Sequence, residues 1–279
     1  MTYILFDIGG TKMRVAISND LKKISDTKKF STPKNPIEGM ALIIKAVKDL
    51  AGEEISAIAG GIRGILNETK TGIIQDGALS SWVDFDVVGA LTTEFSVPVY
   101  LENDAALAGL GEAHYGAGQG IDILVYHTIS TGVGGVKISY GKIDESSMGF
   151  EPGHQILDID RTILGPDIVP TLQNLVSGTA VEERMGMKPY EIPQSDVLWD
   201  ELAGYLAQGI RNSILYWSPE VIVLGGSMMV GDPKIPIEAV RKATVEALDN
   251  FVPCPFITTA ALLDDAGLYG AMSRIEQAI

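Results

Sequence analysis

The opening residues set a pattern that the chain later repeats. Residues 3–7 are apolar up to Asp7, break at Gly9 and Gly10, and resume over 13–18 with alternating character, which predicts a β-hairpin turned on glycine. A hairpin of the same design follows about 120 residues later, with a strand over 121–130, a turn at Gly132, Gly134 and Gly135, and a return strand over 136–140. Two such hairpins predict a duplicated architecture in which each domain opens with the same element. Between them, Ile37, Met40, Ala41, Ile44, Val47 and Leu50 recur at helical spacing after Pro36, predicting a helix over 36–50. Short strands are predicted over 55–60 and 97–101, the second leading into a helix of small residues over 105–113. Further on come a long helix over 199–216, a buried strand over 221–224 and a helix over 237–248. This alternation predicts an α/β class with largely buried sheets. Residues 141–195 are the least regular, because Pro166, Pro170, Pro189 and Pro193 interrupt any long element.

A chain of 279 residues fits one large or two medium domains, and two are expected. The boundary is expected within 108–120, where Gly109, Gly111, Gly116, Gly118 and Gly120 accumulate, giving domains 1–112 and 113–263. With 21 basic against 36 acidic residues the net charge is −15, which argues against nucleic acid or an anionic membrane as partner. No apolar run approaches the roughly 18 residues of a membrane span, and the N-terminus enters a strand instead of a signal sequence, so a cytoplasmic protein is expected. Cys254 is the only cysteine, which excludes an intrachain disulfide and a multi-cysteine zinc site.

Chemistry concentrates in the turns. In the run Asp7, Ile8, Gly9, Gly10, Thr11, Lys12 the two glycines allow a tight turn that presents backbone amides to an anion, and Asp7 is placed to hold magnesium through water. It is not a P-loop, since the spacing before a Lys-Ser/Thr pair is missing and a strand follows. In Ser130, Thr131, Gly132, Val133, Gly134, Gly135, hydroxyls and bare amides again suit phosphate oxygens. Each taken alone also reads as a plain glycine turn; as a pair they point to two hairpins gripping one polyphosphate. At Glu102, Asn103, Asp104, Ala105 a strand ends and a helix begins, so Asn103 or Asp104 reads equally as a helix cap.

These motifs together resemble the sugar kinase, hsp70 and actin superfamily and, within it, the ROK family of kinases and repressors. Asp7–Lys12 resembles the first phosphate motif, Ser130–Gly135 the second, and Gly225, Gly226 and Ser227 after the strand over 221–224 the adenosine motif. The resemblance runs over residues 1–272. It implies a two-domain, ribonuclease H-like (actin-like ATPase) α/β fold with an interdomain cleft, the helix over about 264–279 packing back on the first domain. It implies ATP and Mg2+ as cofactors, held by Asp7, Gly9, Gly10, Thr11, Lys12, Ser130, Thr131, Gly132, Gly134, Gly178, Gly225 and Gly226. Asp104 corresponds to the catalytic base and Asn103 to a sugar ligand, with Glu151, His154 and Gln173 also on the sugar side. A homodimer is a further implication. His114 and His127 receive no role.

The chain also departs from the family pattern. The histidine is not followed by a cysteine cluster, so no zinc is expected; Gln173 stands where a glutamate is usual, and Ala78 where an asparagine would touch sugar. The usual proline-glycine-proline after the third strand reads Gly61, Ile62, Arg63, Gly64. All these changes lie on the sugar side. The resulting expectation is a glucokinase-like kinase in which MgATP binds between the hairpins, Asp104 activates a hydroxyl of a hexose or amino-hexose, and domain closure excludes water. Two other readings stand beside it. One is a nucleotide- and sugar-binding member with altered substrate or no kinase activity. The other is a sugar-responsive repressor, disfavoured because the chain starts within two residues of its first strand and carries the wrong charge for DNA.

Overall fold

The computed structural model describes residues 1–52 and 54–279. The chain forms two units, Met1–Tyr115 with Glu145–Gly149 and Asp265–Ile279, and Gly116–Asp144 with Phe150–Asp264.

In the first unit, strands β1 (Thr2–Ile8), β2 (Lys12–Ser18), β3 (Asp26–Ser31), β4 (Ile55–Ile62) and β7 (Val99–Asn103) make one sheet in the order β3-β2-β1-β4-β7. A small antiparallel ribbon, β5 (Ile65–Leu66) and β6 (Ile73–Gln75), follows β4. The meander β1-β2-β3 is antiparallel, whereas β1, β4 and β7 are parallel. Helix α1 (Pro36–Leu50) starts where Asn35 accepts a hydrogen bond from the Ile37 amide at 2.9 Å and Pro36 fills the first helical position. Its buried face, Met40, Ile43 and Val47, joins Phe6, Ile8, Val15, Ile58 and Ile62 in one core with Trp82 and with Leu91 of α2 (Val87–Phe95). Trp82 donates from Nε1 to the Pro33 carbonyl at 3.1 Å, which satisfies the one polar atom of a fully buried indole.

The second unit repeats the plan. Strands β8 (Ile123–Ile129), β9 (Val133–Ser139), β10 (Lys142–Ile143), β11 (Val221–Gly225) and β12 (Phe256–Thr259) are ordered β10-β9-β8-β11-β12. Here too the meander is antiparallel, and β8, β11 and β12 are parallel. Every residue of β11 is buried, which explains its uninterrupted apolar run. Helices α4 (Leu172–Val176), α5 (Gly178–Met185), α6 (Leu198–Trp217), α7 (Ser227–Val230) and α8 (Ile237–Leu248) complete the unit; Leu202, Leu206 and Ile210 of α6 share a core with Ile222, Leu224, Val240 and Ile257. The helix expected over 199–216 is therefore present, and the irregular stretch over 141–195 contains two short helices between its prolines.

The last helix, α9 (Ala266–Glu276), belongs to the first unit, where it crosses α3 (Asp104–Tyr115) at backbone contact. A methyl on Gly270 would lie 1.8 Å from the Leu107 carbonyl oxygen, and one on Gly111 2.2 Å from that of Ala266. The small residues that marked this helix in the sequence thus serve a close helix crossing that fixes α3, whose first residue is Asp104. Among the described residues no helix is long and apolar enough to cross a membrane.

Gly270→Ala should lower stability by about 1–3 kcal/mol or more, because the obstacle is backbone and cannot move aside. Gly204→Ala in α6, where a methyl meets nothing within 4 Å, should be neutral or stabilising by about 0.5–1 kcal/mol. Urea midpoints of the two variants against the wild-type chain test the pair; equal midpoints would contradict the backbone-contact account.

Candidate active site

The register of three parallel strands assembles the candidate site residues of the first unit. Ile8 at the end of β1 pairs with Ile62 at the end of β4, and Ile62 pairs with Asn103 at the end of β7. The next residue of each strand is Gly9, Arg63 and Asp104, so the phosphate-type turn, an arginine and the predicted base emerge side by side from one edge of the sheet.

The turn after β1 is held by the Gly9 amide donating to the Lys12 carbonyl at 3.0 Å and by Thr32 Oγ1 donating to the Gly9 carbonyl at 2.7 Å. Among the described residues the amides of Gly10 and Thr11 meet no acceptor, and Thr11 and Lys12 are exposed. Asp7 pairs with Arg14 directly across the hairpin, and its Oδ2 accepts from Arg14 Nε at 3.2 Å and Nη2 at 2.5 Å. The same guanidinium reaches Asp265 at 3.6 Å.

Asp104 opens α3 and sits against β4 so closely that a methyl on Gly61 would lie 3.1 Å from its Cα. Its Oδ1 accepts from the Ala105 amide at 2.8 Å. Asn103 caps the helix, accepting from the Ala106 amide at 3.1 Å and donating to the Gly64 carbonyl at 3.1 Å. The cap reading thus describes what Asn103 does here, while its second amide hydrogen and a carbonyl lone pair are left to offer a ligand. Glu102 faces away into a different interaction, with Lys70 Nζ donating to both carboxylate oxygens at 2.8 and 2.6 Å. Burial pushes the Asp104 carboxyl up to about 7, reinforced by the negative charge of Asp7 and opposed by the Ala105 amide and Arg63.

In the second unit the turn after β8 closes through the Ser130 amide, which donates to the Gly132 carbonyl at 2.8 Å, while the Gly178 amide donates to the Ser130 carbonyl at 2.7 Å. Ser130 and Ser227 hydroxyls lie 3.1 Å apart. Gly226 has φ +84°, and a methyl there would meet the Ile129 carbonyl at 2.3 Å, so the loop after β11 lies directly on the end of β8. Ser130, Gly178, Gly225 and Gly226 therefore form one cluster, and the amides of Thr131 and Gly132 meet no acceptor among the described residues. Gln173 accepts from the Val133 amide at 3.0 Å, and a methyl on Gly153 would meet the Val133 carbonyl at 2.2 Å. This brings Gln173 and the turn Pro152–His154 together at the start of β9, with Glu151 and His154 exposed.

Arg14 and Asp76 were not assigned site roles from the sequence, whereas Ser227 entered only as the last residue of the adenosine-type motif. Arg14 could have been found, because a hairpin turning at residues 9–11 places it opposite Asp7. Asp76 could not: it meets Arg63 Nε at 3.0 Å from the residue just after the far strand of a ribbon that the sequence does not signal.

A carboxyl raised from 3.8 to about 7 favours the protonated fold below about pH 4, and that advantage is lost progressively as pH rises through about 7. In metal-free buffer with EDTA, the Tm of Asp104→Asn minus that of the wild-type chain should grow from pH 4.5 to 7 and then level off. A constant difference across that range would contradict the raised basicity of Asp104.

A family model described as "ROK family" matches residues 3–278. A fructokinase from Lactococcus lactis subsp. cremoris is 32% identical over 262 residues, covering 91% of this chain and 87% of that protein. A glucokinase from Thermotoga maritima is 26% identical over 310 residues, covering 98% and 96% respectively. Among solved structures, a ROK hexokinase from Thermus thermophilus is 26% identical and superposes with a TM-score of 0.81 over 100% of this chain and 99% of its own. Two units of the same sheet order, glycine hairpins opening each and a family match over nearly the whole length agree: the chain belongs to the ROK family.

Proposed function

We propose that the protein is an ATP-dependent kinase that phosphorylates a hydroxyl of a hexose or amino-hexose, with Asp104 as general base. The observation that carries this reading is the emergence of an open phosphate-type turn and the Asp104 carboxyl at one level of one sheet edge. Relatives named fructokinase, glucokinase and hexokinase support the substrate class.

In this reading the acceptor hydroxyl forms a bond to the γ-phosphorus while the bond from that phosphorus to the bridging oxygen breaks, its electron pair leaving with ADP. The hydroxyl proton passes to Asp104, for which a carboxyl of raised basicity suits a proton that moves late. The open amides of Gly10 and Thr11, and those of Thr131 and Gly132, are donors for phosphate oxygens, with Lys12 as a nearby point charge. Ser130, Gly178, Gly225 and Gly226 form the nucleotide side, and Asn103, Glu151, His154 and Gln173 are assigned to the sugar. A magnesium ion fits Asp7: its Oδ2 is taken by Arg14 and its Oδ1 by nothing among the described residues, and magnesium favours one carboxylate with waters and substrate phosphates. When bound it would neutralise charge on the phosphates.

A coupled ADP-release assay with MgATP against glucose, fructose, mannose, N-acetylglucosamine, N-acetylmannosamine and allose should show release that depends on sugar. Asp104→Asn should lower kcat by about 10²–10⁴-fold with little change in sugar KM. ATP binding with silence across the panel would favour a member of altered substrate, and near-normal turnover by Asp104→Asn would remove it as base.

A further inference from the structure

The kinase reading leaves one charged group at the centre of the site without a task. Arg63 leaves the sheet from β4, the strand between β1 and β7, so it stands between the phosphate turn at Gly9 and Gly10 and the base Asp104. Its own amide donates to the Ile8 carbonyl at 3.0 Å, which ties its backbone to the strand that carries the turn. A methyl on Gly10 would lie 3.8 Å from Arg63 Cδ and 3.9 Å from Nη1, so the guanidinium lies beside the turn.

That guanidinium is also held in place. Arg63 Nε donates to Asp76 Oδ2 at 3.0 Å, while Asp76 Oδ1 accepts from the amides of Ala78 at 2.8 Å and Leu79 at 2.6 Å. The Asp76 side chain is only 9% exposed, whereas Arg63 keeps 31% of its side chain open. Among the described residues Nε is the one guanidinium nitrogen with a hydrogen-bond partner, which leaves the Nη1 and Nη2 hydrogens for something else. The Ala78 side chain has no polar group to take them, and its Cβ would lie 2.8 Å from a methyl on Gly10, so the loop presses on the turn without filling the space with a ligand-binding side chain.

We propose that Arg63, oriented by Asp76, is a further catalytic residue that donates from Nη1 and Nη2 to the phosphoryl group in transit between ATP and the sugar hydroxyl. The inference rests on the kinase reading above. A planar fork with two open edges matches two equatorial phosphoryl oxygens, and a donor fixed before substrate arrives gives more in the transition state than a mobile one. Negative charge is spread over those oxygens while one bond forms and the other breaks, and Arg63 stands where the two reacting partners must meet.

The test compares wild type, Arg63→Met, Arg63→Lys and Asp76→Asn, each checked for an unchanged Tm, on the best sugar of the panel. Arg63→Met should lower kcat by about 10²–10³-fold with KM for ATP and sugar within about threefold. Arg63→Lys, which keeps the charge and loses the fork, should recover only part, and added guanidinium should partly restore Arg63→Met. A second readout needs no turnover: affinity for aluminium fluoride in the presence of MgADP and sugar should fall in Arg63→Met while affinity for MgADP alone holds. Normal kcat with a raised sugar KM would make Arg63 a sugar ligand and overturn the proposal, as would unchanged aluminium fluoride affinity. A wild-type chain that phosphorylates no sugar would take down the kinase reading and this inference together; a normal Arg63→Met enzyme beside an active wild type would overturn only the inference.

Discussion

The alignment of three parallel strand ends, Ile8 with Ile62 with Asn103, is the constraint on which the candidate site depends. Side-chain direction in a strand has a period of two, so a slip of one residue in either pairing would send Arg63 or Asp104 to the wrong face. Size fixes the register where burial does not alternate: Ile8, Ile58 and Ile62 are fully inside, and the equally buried neighbours Ala57, Ala59, Gly60 and Gly61 are too small to take their places in the core. Glycines tighten it further. A methyl on Gly60 would strike the Phe6 ring at 2.3 Å, and one on Gly61 would reach Asp104, so β4 can approach both β1 and α3 only because these positions are bare.

The electrostatics follow from that placement. Asp7, Asp76 and Asp104 gather at one sheet edge against Arg14 and Arg63, and the two arginines are divided between them. Arg14 is committed to Asp7 and Asp265, and Arg63 to Asp76. Among the described residues Asp104, unlike Asp7 and Asp76, lacks a cationic partner in direct contact, and burial with the nearby charge of Asp7 raises its basicity. A carboxyl of raised basicity is what proton transfer near neutral pH requires. In the second unit the same sheet order serves a different end, a cluster of bare amides and hydroxyls around Ser130, Gly178 and Gly226 with no carboxylate in its hydrogen bonds among the described residues.

Much of this was legible in the sequence because it is local. Both hairpins announce themselves through glycine between alternating runs, and the strand-to-helix junction at Asp104 follows from a short apolar run leading into small residues. The strand there lies over Val99–Asn103, two residues later than the expected 97–101, since pairing with β4 extends to Asn103. The edge strand β3 was missed: its sequence, Asp26, Thr27, Lys28, Lys29, Phe30, Ser31, is largely exposed, and lysines on an edge guard against further pairing while hiding the strand pattern. Helix α2 escaped because Val87, Val88, Thr92 and Thr93 read as strand formers, and tertiary packing of Val87 and Leu91 overrides that preference. The Arg63–Asp76 pair spans 13 residues and a ribbon of weak signal. In the sequence Arg63 registers only as a departure from the family's usual glycine and prolines; the role proposed for it rests on where β4 ends.

The most direct test of the central claim is a crystal structure of the chain with the best panel sugar and a non-hydrolysable MgATP analogue. The account predicts the acceptor hydroxyl within hydrogen-bond distance of an Asp104 carboxylate oxygen and phosphate oxygens on the Gly10 and Thr11 amides. An acceptor hydroxyl bound to another group, with Asp104 turned back to cap α3, would contradict it.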